Sequence, residues 1–168
     1  MRWDLLVLRL IHIVSAVCWV GGTLLMVGFV LPSVKRAGPD GGKFMQLLVQ
    51  RKMPQYLGIM AALLVLSGAL MYWVVSGHLQ AQWLGTSRGI MLTLGALFGI
   101  GAALSGTVFT APAATRLEAI GRQVQTSGGP PSAEQAAEMR SLQQRLVTGA
   151  HITAGLMVVA LVLMVVSK

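Results

Sequence analysis

The chain has 168 residues, 55% of them hydrophobic and only 11% charged, with a formal net charge of +8. A water-soluble domain carries about 25% charged residues, so a fold facing water on all sides is excluded and an integral membrane protein is indicated, of a length that suits one domain. The single cysteine excludes an intramolecular disulfide and a multi-cysteine metal centre, and the positive charges gather beside hydrophobic runs, which is a topology signal and not a nucleic-acid footprint.

The first apolar run, 5–31, is 27 residues long. It exceeds the hydrophobic region of a signal peptide and no A-x-A-like site follows, so it is expected to stay as a membrane span. Helical spacing gathers Arg9, His12, Ser15, Ala16, Trp19 and Gly22 or Thr23 on one face. The opposite face is aliphatic, with Leu6, Leu10, Ile13, Val17 and Leu24. Intramembrane ionisable residues face a bundle interior, so His12 is expected to face other helices. Cys18 reads as a small packing residue.

Residues 32–53 form a basic connection, with Lys35, Arg36, Lys43, Arg51 and Lys52 against Asp40 alone. The second span is expected over 54–75, opened by Pro54, and a short connection, 76–88, carries His78 and Arg88. The third span, 89–111, contains Gly95-x-x-x-Gly99, a spacing that lets helices approach closely in lipid. Residues 112–146 read as a helical hairpin that extends the third and fourth helices beyond the membrane, broken at "TSGGPP", with Ser132 as cap of the returning helix. The fourth span covers 147–166. The two long connections hold nine of the 13 basic residues. They are therefore expected in the cytoplasm, with both termini extracytoplasmic and the chain in the plasma (inner) membrane. The expected fold is all-α: a four-helix transmembrane bundle of up-down topology, with the 112–146 hairpin projecting from it.

His12 is the chemically informative residue. A neutral imidazole in a bundle serves as an interhelical hydrogen-bond donor, as a proton carrier, or as a ligand to a metal or haem iron. Arg9, one turn nearer the extracytoplasmic surface, favours haem b, because a guanidinium fork pairs well with a propionate. Arg88 is expected on the same side, and Trp19, two turns below His12, against the macrocycle edge or as the pocket floor.

The run "HIVSAVCWVGG", 12–22, resembles the first-helix pattern His-x6-Trp-x-x-Gly of the HemJ-type protoporphyrinogen oxidases, and it is also similar to the first helices of CopD-like copper-resistance membrane proteins. The resemblance covers roughly the first 110 residues, including the basic connection, Pro54, and Trp83-Leu84 ahead of the third span. It implies a haem-binding scaffold. The HemJ-type lysine early in helix three is absent, with Arg88 nearby, and His151 has no counterpart. Porphyrinogen oxidation is therefore implied less strongly than haem binding.

His151 opens the fourth span. Counting helical rises puts His12 about 10 Å and His151 about 23 Å below the extracytoplasmic ends of their helices, too far apart for one iron. His151 is thus a second metal site near the cytoplasm or a structural histidine, and His78 a second axial ligand or a solvated loop residue. Ten methionines invite copper, but Met60, Met71, Met91, Met157 and Met164 are scattered through apolar runs as packing residues; Met71 or Met164 could border a haem.

The leading expectation is a b-type haem redox protein with His12 as ligand and Arg9, Arg88 and Trp19 around the group. It would be an oxidoreductase or an electron carrier, exchanging electrons with a quinone, a porphyrinogen or a redox protein. The alternatives are a copper-handling protein and a cofactor-free accessory subunit. The other expected partners are the lipid bilayer and, among copies of the chain, a homo-oligomer; nucleic acid is not expected.

Overall fold

The computed structural model describes residues 3–167, the side chains at 39 and 46 excepted. It contains eight α-helices and two short π-helical segments, and no strand among the described residues. The helices are α1 Trp3–Leu25, α2 Leu31–Arg36, α3 Pro39–Gln50, α4 Met53–Val75, α5 Ala81–Leu84, α6 Ser87–Ser105, α7 Ala111–Ser127 and α8 Ala133–Val166. Four helical runs are long and apolar enough to cross a bilayer. The protein is a multi-pass membrane protein with an all-α bundle. Its outward faces are rich in exposed Leu, Ile, Val and Phe, the surface that a hydrocarbon solvent requires.

The tightest packing joins α1 to α4 and α6 to α8; contacts of α4 with α6 and of α1 with α8 close the ring. Each spanning helix therefore neighbours two that run the opposite way, as up-down topology demands.

The first and third spans do not stop at their prolines. Met26–Val30 and Gly106–Thr110 are π-helical, and Pro32 and Pro112 follow them. A proline ring clashes with the carbonyl four residues back, which here belongs to Gly28 and Val108, both inside the π segments. Widening the turn relieves the clash without ending the helix. The runs accordingly continue over Trp3–Arg36, 34 residues, past the expected end at 31, and over Ser87–Ser127, 41 residues, where the third span extends into the hairpin.

The basic connection is also ordered differently from the loop expected over 32–53. The chain turns at Gly38, where φ is +58°, and α3 folds back along α2. Gly41 lies against the Val34 carbonyl so closely that no Cβ fits there. A second hairpin is formed by α7 with the first part of α8, over the residues where a helical hairpin was expected. Gly128, at φ +66°, ends α7. Ser132 Oγ accepts from the Gln135 N–H at 3.1 Å while the Gln135 side chain accepts from the Ser132 N–H at 3.0 Å, a complete capping box. Arg116 and Glu138 bridge the two arms at 2.7 Å. The two halves are thus similar in layout, each a helix that widens into a π turn ahead of a proline, a helical hairpin and a returning span.

Small residues set the seams. A Cβ on Gly95 would meet Met164 Cγ at 3.0 Å, and one on Gly149 would meet Thr110 Oγ1 at 3.0 Å. At Gly99 nothing lies within 4 Å, so only the first glycine of the Gly95-x-x-x-Gly99 spacing serves the α6–α8 contact. Midway through the bundle, Trp19, Ala102 and Met157 form the buried centre, with Leu57, Met60, Ala61 and Leu64 packed on it.

Candidate functional site

Helix α1 presents Ser15 and Trp19 as its buried residues, and His12 shares their face. The expected polar face is therefore the one turned inward. His12 reaches α4, where its Nδ1 lies 3.0 Å from the Leu64 carbonyl oxygen and 3.2 Å from Ser67 Oγ. A carbonyl only accepts, so Nδ1 carries the proton and donates to it. Ser67 Oγ in turn donates to the Leu63 carbonyl at 2.6 Å and keeps a lone pair towards the ring. Gly68 makes this fit geometrically: a Cβ there would stand 2.8 Å from His12 Cε1 and 3.3 Å from Nδ1.

With Nδ1 protonated, Nε2 holds the free lone pair. It has no hydrogen-bond partner among the described residues, and no fully buried side-chain nitrogen or oxygen among them lacks one. His12 is half-buried, so Nε2 is unpaired without being fully buried. Metal-ligating histidines characteristically donate their other ring N–H to a carbonyl or carboxylate, which sets tautomer and ring orientation. The α4 backbone supplies that arrangement here.

Trp19 is 6% exposed and sits in the packed centre with Ala102 and Met157, closing the bundle beneath His12. Above it, interhelical bridges are lighter. Tyr72 Oη meets Thr93 Oγ1 at 2.5 Å between α4 and α6, Trp83 stands edge-on to Tyr72 with centroids 5.5 Å apart, and Tyr72, Thr93 and Met164 are only half-buried. Arg9 and Arg88 are both exposed at this end of the bundle, near the start of α1 and of α6, with no ion pair to any described residue.

The other histidines are not brought to His12. His78 occupies a turn at φ +65°, and its ring lies 5.2 Å from that of Trp73, which is 48% exposed on the outer face. His151 is exposed, and its Nδ1 bonds the Val147 carbonyl of its own helix at 2.7 Å, not a neighbouring helix. Its depth follows from the cross-links. Gly68 is one turn from Tyr72, which meets Thr93, and Thr153 on α8 meets Ser105 on α6 at 3.1 Å. At about 1.5 Å of rise per residue, His151 lies about 15 Å nearer the basic end than His12. No group of three His, Cys, Asp or Glu side chains among the described residues is placed to share a metal ion.

Sequence reasoning singled out His12 but not its α4 partners. Ser67-Gly68, a polar residue and a glycine side by side in an apolar span, was the available signal; which helix faced which was not. A scan against protein-family models, a search of curated proteins and a search of solved structures each find no match to this chain.

Proposed function

We propose that this protein is a haem b-binding membrane redox protein with His12 Nε2 as an axial ligand. One observation carries the reading: Nδ1–H is committed to the Leu64 carbonyl while Nε2, not fully buried, has no partner among the described residues. A neutral imidazole fixed in this tautomer carries on Nε2 the lone pair that a bond to haem iron requires. The donor set suits haem, which takes one or two protein ligands, better than copper or another bare ion, which takes three or four. When bound, haem b supplies a one-electron couple.

The chain's own contribution is to hold the ligand and place charge. Leu64 fixes the ring and its tautomer, Gly68 gives the ring room, and Ser67 braces it. Arg9 and Arg88 supply cations at the end where propionates would emerge, and Trp19 closes the floor. Electron exchange with a quinone, a porphyrinogen or a redox protein partner follows from this reading, with HemJ-like porphyrinogen oxidation as its enzymatic form. The charge bias of the two hairpins supports an orientation with both of them in the cytoplasm of a plasma-membrane protein and both termini outside.

A second reading has its own support. The His12–Leu64 bond by itself joins α1 to α4, as a cofactor-free accessory subunit would require. The absorption spectrum of the purified protein separates the two. A Soret band that His12→Ala abolishes, with membrane insertion intact, is the expected result. A colourless wild type, or an unchanged band in His12→Ala, overturns the haem assignment.

A further inference from the structure

The end of the first π-helical segment and the hairpin of α2 and α3 border an open apolar groove of about 410 Å³, lined by Phe29, Val30, Ser33, Val34, Asp40 and Phe44 among others. Its two ends differ in chemistry. One end begins at Phe29, 69% exposed within the first spanning run, and Phe44 of α3 faces it from the other wall, 48% exposed. The other end is the hairpin tip, where Lys35 and Arg36 directly follow Ser33 and Val34, and Lys43 directly precedes Phe44. Lys35 and Arg36 are exposed and have no ion-pair partner among the described residues. Lys43 pairs with Asp40 at 2.9 Å, with both side chains at least 77% exposed, a pair that solvent screens and that a competing anion can open. Arg51 and Lys52, also exposed, lie where α3 meets α4.

We infer that this groove is a binding slot for one anionic phospholipid of the leaflet at the basic end of the bundle. The slot has the polarity of such a molecule in its natural orientation. Acyl chain lies against Phe29, Val30 and Phe44, which are continuous with the lipid-facing surface, and the phosphate stands at the tip among Lys35, Arg36 and Lys43. Lys35, Arg36 and Lys43 around the tip, against Asp40, the charged residue of the lining, favour a headgroup with net negative charge over a zwitterionic one. Close α2–α3 packing at Gly41 holds the walls together whatever fills the groove. The site is separate from His12 and stands or falls independently of the haem proposal.

Native mass spectrometry of the intact protein, titrated with phosphatidylglycerol or with phosphatidylcholine of the same chains, tests this. Wild type should retain one phosphatidylglycerol in preference to phosphatidylcholine. Lys35→Gln with Arg36→Gln should lose about fivefold of that preference per cation removed. Phe44→Ala should weaken retention of both lipids while leaving the preference. Neutralising Arg122 and Arg140 on the other hairpin should change nothing. Equal retention of the two lipids by the wild type overturns the proposal without any variant. So does unchanged preference in the folded Lys35→Gln/Arg36→Gln protein, checked by circular dichroism.

Discussion

Gly68→Ala offers a test of the site that turns on a sign. In an ordinary helix interior alanine is favoured over glycine by about 1 kcal/mol, so the same substitution at an unobstructed position in a span should be neutral or stabilising. Gly58, in the same helix, is such a position: nothing lies within 4 Å of its would-be Cβ. At Gly68 the new methyl would stand 2.8 Å from His12 Cε1, closer than real contacts allow. The ring must move, and it is held by Leu64 at 3.0 Å and Ser67 at 3.2 Å. Overpacking costs about 1–3 kcal/mol, and an interhelical hydrogen bond in a bundle is worth about 0.6 and at most about 1.7 kcal/mol. Against the propensity gain, the net expectation is a loss of about 1–3 kcal/mol, or several degrees of melting temperature at this chain length. Thermal unfolding in detergent, comparing Gly58→Ala with Gly68→Ala, is the assay. If both variants shift alike, the His12 ring is not packed on Gly68 and the site geometry is wrong. In haem-loaded protein, Gly68→Ala should also change the Soret position because the ligand ring is displaced.

Further expectations concern single groups. Arg9→Leu should keep haem but bind it less tightly and shift its potential, and Arg9→Lys should fall between, having charge without a fork; a redox titration of the three proteins checks the order. His151→Ala should leave haem content and melting temperature unchanged, because its one bond is to its own helix; loss of about half the haem would reveal a second site. Thr153→Val removes the donor to Ser105 Oγ, the buried link between α8 and α6, and should cost about 0.6–1.7 kcal/mol in the same unfolding assay. A reporter fused after Lys168 should be active only on the extracytoplasmic side, and cytoplasmic activity would reverse the proposed orientation.

The amino-acid sequence by itself determined the membrane class, the four spans and the inward face of α1. Each follows from hydrophobicity counted along one segment, and lipid solvent forces any such segment into a helix. The cap at Ser132 was legible for the same reason: Ser132 and Gln135 satisfy each other within four residues. The extension of the third helix past Pro112 was legible in the helical pattern of 112–146, whereas Pro32 was legible only as an interruption; the widening into π turns ahead of both prolines was not legible. The tertiary structure also decided which partner each polar group found. His12 could have met any helix; it met Leu64 and Ser67, where Gly68 leaves a gap on α4 that accepts its ring. Trp19 reached the buried centre only through the approach of Ala102 and Met157 from α6 and α8. The α2–α3 groove exists because Gly41 lets two backbones touch. Such contacts join residues far apart in the chain, and no periodicity within one segment encodes them.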